Sequence, residues 1–507
     1  MNTQPSSGLM DHHRVYALLL ISYTGSAVCQ GRKGRVVDAP PCPWYDALRP
    51  FRSGKTRPRK GVPVFGAARF FEIAQRILEY SQADQTEVLF LAGEEALTRF
   101  ANSYIHQNVA RSDAQVSIRA VVGQRVGVAA TNDLSPASLQ ATVDQALAIA
   151  RVHPDDPDFR SLPGPAPLPR VESWDPTTAE CPPEARAREV GIVCRLAQEK
   201  GLRASGALST RWGEIGVANS LGVRAHFPYT RAELNIVLMG ESGSGYATAV
   251  AKELAALDTE ALAREAIDKA LRSANPVEIE PGEYEVVLEE YAVADLLSYM
   301  AYLGFSATAL QEGRSFMRLG EQIVGPEVSI WDDGLDPQGL PMPFDFEGVP
   351  KQRVDLIEQG IARAVVYDSY TAGREPGRTS TGHALPAPNP FGPLPLNLFM
   401  APGTTPRAEL GRSIERGLWI TRFHYVNAVH PLRAVLTGMT RDGTFWIEHG
   451  EITRPVKDLR FTQSVLEAFR EVVAITRERR LLPGFFGGIL VPAVHLRRFR
   501  FTGTTGD

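Results

Sequence analysis

The chain has ten histidines, and none opens an HExxH run, so a helix-borne zinc site of that spacing is absent. His424 and His430 come nearest to a pair, in the run HYVNAVH. Six residues apart, they miss a common helix face. On a strand they share a face at about 20 Å, too far for one ion. His383 lies in Ser380-Thr381-Gly382-His383, a Gly-, Pro- and Ser-rich loop. Such loops often bind ligands, although a cap or turn uses the same residues. His106, on an expected strand, reads as a half-buried, hydrogen-bonded imidazole. Gly240-Glu241-Ser242-Gly243-Ser244-Gly245 has the wrong spacing for a nucleophile elbow and suits a glycine-rich hairpin. Arg441-Asp442-Gly443-Thr444 carries the Asp-Gly pair of tight hairpin turns. No phosphate-binding P-loop occurs. Spacing alone yields no catalytic constellation.

Composition narrows the class. Of 507 residues, 44% are hydrophobic and 22% charged, which fits a globular chain with a sizeable core. The net charge of −4 argues against a nucleic-acid partner. No apolar run reaches the ~20 residues that cross a bilayer, so no membrane partner is expected. The four cysteines (Cys29, Cys42, Cys181, Cys194) form no CxxC pair, and a reducing cytoplasm fits this usage. Charge is uneven: residues 1–66 carry a balance of +7 and the remainder −11. That first segment has no sustained period and reads as a disordered extension or a start codon set too far upstream. Val15–Ser22 makes a poor export signal, because Tyr16 interrupts it and no small-x-small site follows.

The elements that must hold any site follow from periodicity. Ala67–Ser81 places Phe70, Ile73, Ala74, Ile77 and Leu78 on one helical face. Thr86–Leu91 reads as a strand, Ala96–Ala130 as a strand series turning at Gly123-Gln124. Ser135 and Pro136 start a helix over Ala137–Arg151. Prolines make 153–183 a linker, and Glu184–Lys200 is helical. The pattern then repeats. Phe100–Ser103 is echoed by Val217–Ser220, 117 residues on, and Val143–Leu147 by Ile267–Leu271, 124 residues on. In the second half, Pro281–Leu288, Ala362–Tyr367, Val435–Gly438, Thr444–Glu448 and Ile489–Leu496 read as strands. Tyr291–Tyr302 reads as a helix, and Phe461–Arg480 as a long closing helix with Val465, Leu466, Phe469, Val472, Val473 and Ile475 inward.

The expected fold is α+β. An N-terminal mixed α/β domain over 67–280 is built from two similar strand–hairpin–helix units, 67–152 and 184–280. A mainly antiparallel β domain, closed by the long helix, covers 281–507.

Several strings resemble one family. Thr98–Gln107 (TRFANSYIHQ), Val121–Gly127 and Thr131-Asn132-Asp133 are similar to the opening of the TldD/PmbA family. Ser380–His383, Asn397-Leu398, Ala401-Pro402-Gly403, Tyr425-Val426-Asn427 and Leu436–Gly443 are similar to its C-terminal domain. The resemblance spans roughly 67–500. It implies two kinds of subunit, a TldD kind that binds zinc through HExxxH and a later Cys, and a PmbA (TldE) kind that lacks them. Here Ser298 and Leu303 occupy the two His places, Tyr299 replaces the general base, and Pro483–Gly488 offers no thiol.

The resemblance therefore implies a PmbA/TldE-like subunit with no cofactor of its own. Its partner would be a TldD-like zinc peptidase, and the shared substrate unfolded peptide. His383, Asn397, His424, Tyr425, Asn427, Arg441 and Asp442 are the candidates for peptide-cavity lining or the subunit interface. Two other readings remain: a self-sufficient hydrolase joining His383, His424 or His430 to Asp442 or Glu448, and a non-enzymatic peptide-binding homo-oligomer.

Overall fold

The computed structural model describes residues 65–484 and 487–504. The expectations for residues 1–64, Cys29 and Cys42 included, lie outside the described residues.

Gln85–Ala101 (β1) and Tyr104–Val122 (β2) form one long hairpin, so the apolar run at 86–91 is only the start of its strand. The hairpin turns at Asn102-Ser103, at φ 51° and 61°. Two positive φ values match the twist of the flanking strands. Arg125–Thr131 (β3) follows the Gly123-Gln124 turn. Arg203–Asn219 (β4), Arg224–Met239 (β5) and Ser244–Ala251 (β6) repeat the arrangement. The six strands join antiparallel in the order β3-β2-β1-β4-β5-β6, which reads the same from either end.

Four helices cover this sheet: Gly66–Tyr80 (α1), Pro136–Val152 (α2), Pro183–Gln198 (α3) and Thr259–Arg272 (α4). Ser135 caps α2 as expected, accepting the Ser138 N–H at 3.4 Å, with Pro136 at the first helical position. Alternation along β1 gives the sheet two apolar faces. Val88, Phe90 and Ala92 pack with Phe70 and Ile77 of α1 and Leu139 and Val143 of α2. Leu89 faces the other way, towards Ile215, Val217, Phe227 and Phe344.

Each unit uses a glycine to bring helix backbone onto its third strand. A Cβ on Gly127 would stand 2.2 Å from the Ala146 carbonyl oxygen and 2.4 Å from the Ala150 nitrogen. On Gly245 it would meet Ala266 O at 2.0 Å and Ala270 N at 2.6 Å. These contacts equate Ala146 with Ala266, an offset of 120 residues. The offset of 124 read from Val143–Leu147 and Ile267–Leu271 is therefore wrong by about one helical turn. Apolar repeats look alike when slipped by a turn, and only the contact fixes the register.

The second half begins with Glu283–Leu288 (β7). Then follow Ile330–Asp332 (β8), Val354–Glu358 (β9), Ile361–Ala362 (β10), Asn397–Met400 (β11) and Arg416–His430 (β12). Val435–Glu448 (β13), Glu451–Pro455 (β14), Leu459–Ser464 (β15), Val472–Pro483 (β16) and Gly488–Thr504 (β17) complete the set. Pairing is mainly antiparallel, with β7–β12 and β11–β17 parallel. β7 pairs with both β12 and β17, so the run β17-β15-β13-β12-β7 returns to its start. Closure leaves no free edge within that run, while β10, β14 and β16 remain at the margins of the sheet. Glu290–Gly304 (α5) packs against β12 and β17.

Two expectations fail here. Phe461–Arg480 is not a helix. It contains β15, one helical turn at Val465–Ala468, a 3₁₀ turn at Phe469–Glu471, and β16. Short apolar runs fit either period. β-branched Val472, Val473, Ile475 and Thr476 suit a strand, and the long apolar β17 supplies the partner, from Val472↔Leu496 to Pro483↔Gly488. Closure therefore comes from the sheet itself, and the long helix on it is α5. Ala362–Tyr367 is also not a strand beyond Ala362: Val365 and Val366 are buried in a loop.

Gly127→Val is expected to lower the unfolding free energy by about 1–3 kcal/mol or more, because both clashing atoms belong to backbone. A lower urea midpoint at unchanged slope is the readout, and an unmoved midpoint contradicts the packing described.

Candidate functional site

α5 is apolar on almost every side: Leu296, Leu297, Met300 and Leu303 are all buried. Ser298, Ala301 and Tyr302 flank a small cavity of about 20 Å³, bordered on its other side by Leu394, Leu396 and Gly488. That is room for one water, not for a peptide. The turn between β16 and β17 reaches the cavity through Gly488 N–H, which donates to Leu396 O at 3.1 Å. A Cβ on Gly487 would stand 1.8 Å from that same carbonyl oxygen, so this turn requires glycine there. Ser298 and the glycines Gly484, Gly487 and Gly488, remote in sequence, thus meet around one small space. Leu303 points into the main core instead. The Tyr299 hydroxyl donates to the Val426 carbonyl, which fastens the tip of β12 to α5.

One turn before Ser298, Asp295 is an ionisable group within the apolar stretch Ala292–Leu297 of α5. Burial pushes its pKa up to about 7, and Arg422 and the Phe423 N–H offset only part of that. Arg422 Nε donates to Asp442 Oδ2 at 2.7 Å, and its guanidinium lies 4.0 Å from the ring centroid of Tyr246 on β6. Asp442 is not in a hairpin turn. It sits mid-strand in β13 at φ 56°, with Gly443 at φ 127°, opposite a register shift between Ile420 and Arg422. The bulge turns the carboxylate inward. Burial raises Asp442, but Arg422, the Ser244 hydroxyl and Arg441 outweigh it and hold the carboxyl below its usual range. Burial and the nearby Asp442 charge raise Asp458 to about 6. Burial, Arg441 and Arg422 bring His424 down to about 4, so its ring is neutral at pH 7.

A second buried group bolts the loop at 380–384 to the sheet. His383 Nε2 meets Asp332 Oδ1 at 2.7 Å, and Nδ1 meets Thr381 Oγ1 at 2.9 Å. Asn397 N–H donates to Asp332 Oδ2 at 2.6 Å. Burial and the nearby Lys351 charge lower the His383 pKa. Burial raises Asp332, yet His383 and Lys351 carry it below its usual range.

The structure therefore sorts the candidates. His383, Asn397 and Asp442 lie inside the fold and position their neighbours, rather than lining a surface. Tyr425, Asn427 and Arg441 are exposed, and His424 is half-buried. The register pairs His424 with Met439 and His430 with Val435, so the two imidazoles stay apart on one strand. His106 is exposed on β2, not half-buried. Asp295, Arg422, Asp332 and Lys351 were not singled out from the sequence. Asp295 had a signal, a lone acid within the apolar run AVADLL; the others carry none without the fold.

A larger opening of about 750 Å³ lies beside α4, lined by Lys269, Glu289, Arg407, Trp419 and Arg480 among others. Its charges are spent on one another: Lys269 Nζ donates to Glu265 and to Glu289 at 2.7 Å, and Arg480 to Glu265 at 2.8 Å. Among the described residues, no three His, Cys, Asp or Glu side chains converge as a metal would need. No described helix is long and apolar enough to cross a membrane.

Comparison with known proteins gives three matches to one family. Residues 86–150 match PmbA/TldA metallopeptidase domain 1, 173–274 the central domain and 281–503 the C-terminal domain. The chain is 29% identical over 279 residues to an uncharacterised protein of Methanocaldococcus jannaschii, covering 54% of this chain and 64% of that one, under two thirds of its length. It is 24% identical over 408 residues to the metalloprotease PmbA of Escherichia coli O157:H7, covering 76% and 86%. The fold is similar to that of TldE from Thermococcus kodakarensis, with a TM-score of 0.79 at 22% identity over 85% of this chain and 100% of that one.

An acid with a raised folded pKa favours the folded state at low pH. Its contribution is complete below its unfolded value of about 4 and declines as the pH rises towards its folded value. For Asp295 that window runs up to about pH 7. The parent's Tm should therefore fall relative to that of Asp295→Asn across this range. Parallel Tm–pH curves contradict the burial argument.

Proposed function

The chain belongs to the PmbA/TldD metallopeptidase family, and on that premise we propose that it is a PmbA/TldE-like companion subunit. It completes a peptide cavity for a TldD-like zinc peptidase in the cytoplasm and brings no metal of its own to the cleavage of unfolded peptides.

The observation that supports this reading is the side-chain set on α5 and the turn facing it. A catalytic zinc needs about three donors from His, Cys, Asp or Glu and an open position for water. Ser298 offers a neutral hydroxyl to a space large enough for one water. Leu303 has no lone pair and is packed in the core. The Tyr299 hydroxyl is committed to Val426. These residues do not suit a zinc ion. What they do suit is a rigid wall: α5 holds the tip of β12, and that tip presents Tyr425 (70% exposed), Val429 and Leu432 to the outside. An exposed apolar cluster of this kind fits a peptide or a subunit face.

The purified chain is expected to release no fragments from a denatured polypeptide. Mixed with a TldD-like subunit from the same genome, it should give cleavage that a chelator stops. Chelator-sensitive cleavage by the chain alone contradicts the reading.

A further inference from the structure

β12 and β13 set Arg422 directly opposite Arg441. Like charges so placed destabilise a strand pair, and here only one of the two is answered. Arg422 binds Asp442. Arg441 is exposed and makes no ion pair among the described residues. Arg460 on β15 is a second cation of this kind. It lies opposite Met439, two residues from Arg441, is exposed, and has no ion-pair partner among the described residues.

Register fixes the face that these groups share, since residues opposite one another in antiparallel strands project to one side. His424, Met439 and Arg460 form one line across β12, β13 and β15, and Arg422 and Arg441 lie on the next. Phe423 and Phe461 alternate to the other side, into the core. Three guanidinium groups therefore stand on adjacent strands of one face, Arg441 and Arg460 at the diagonal Cβ spacing of about 7–8 Å. Asp442 answers one of them. Asp458 feels Arg441 but is also held by the hydroxyls of Thr440 at 3.4 Å and Thr444 at 3.5 Å. The His424 ring registers the excess: besides burial, Arg441 and Arg422 are what keep it unprotonated.

We propose that this face binds a peptide carboxylate, a C-terminus or an Asp or Glu side chain, clamped between the Arg441 and Arg460 guanidiniums. The planar fork of arginine matches a carboxylate through paired hydrogen bonds, and arginine clusters are a recurring means of holding acidic peptides. Met439 gives the clamp an apolar floor, and the exposed Tyr425 ring, 4.3 Å from that of His424, gives a neighbouring peptide side chain a surface to lie on. A nucleic acid is the poorer fit, because it takes a long series of phosphate contacts, and these cations are confined to three strands of a chain of net charge −4. The choice of a peptide as carrier rests on the companion reading, and the carboxylate clamp rests on the register.

The test is fluorescence anisotropy of the full chain with short labelled peptides that differ only in carboxylates. One has a free C-terminus and no acidic side chain, one is the same sequence amidated, and one is amidated with a single internal Glu. The amidated peptide without Glu should bind at least about tenfold more weakly than one or both of the others. Which of those two binds tightly tells the terminus from the side chain. Arg441→Gln and Arg460→Gln should each erase the difference, and Arg441→Gln should not lower the Tm, since it removes the charge opposite Arg422. Equal binding of all three peptides, binding of none at millimolar concentration, or a preference that survives either substitution overturns the proposal. So does a single-stranded oligonucleotide that displaces the free-acid peptide at a lower concentration than the unlabelled peptide does. The companion role is read by cleavage in the mixed complex, so either reading can fail alone.

Discussion

The Arg422 guanidinium is the contact on which the two halves and the candidate site jointly depend. It holds Asp442 at the β13 bulge, lies over the Tyr246 ring from the first sheet and faces Asp295 on α5. A buried ion pair of this kind adds little net stability, since desolvation opposes the Coulomb gain. Losing one partner, however, costs about 3–5 kcal/mol, because the other charge is left uncompensated. The consequence is specificity: β12, β13, β6 and α5 are held in a single arrangement. The tip of β12, with His424, Tyr425 and Asn427, is held from below by this pair and from the side by the Tyr299 hydroxyl.

How much of this was legible in the sequence depended on whether the signal was local. The Ser135-Pro136 helix start is local, since one hydroxyl and one fixed φ specify it, and it stands as read. The repeat was visible as pattern, yet its helix register was not, because only the approach of Gly127 and Gly245 to the helix backbones fixes it. Phe461–Arg480 misled because its apolar spacing satisfies a helix as well as β15 and β16, and the deciding partner, β17, lies downstream. Asp442-Gly443 misled for the same reason. The pair does adopt positive φ, as such pairs tend to, but within a strand, where the result is a bulge. His383 read as a loop ligand or as a cap or turn residue, and whether Asp332 lay behind it could not be read from residues 51 positions apart.

The family's chemistry and this chain's residues fit together in a specific way. The matched domains belong to the metallopeptidase family, and the structure brings Ser298 together with Gly484, Gly487 and Gly488. Among the described residues, what lines that place is the Ser298 hydroxyl, the Tyr302 ring, three glycines and aliphatic carbon. Such a position stabilises the closed sheet by packing and leaves room for about one water. The structure is thus that of a frame that holds the β12 tip in place through Arg422 and the Tyr299 hydroxyl.

The most direct test of that account is the metal content of the chain purified alone, by elemental analysis after dialysis against zinc at neutral pH. The account predicts zinc far below one equivalent per chain. One equivalent, retained through gel filtration and lost on changing Ser298 to Ala, would contradict it.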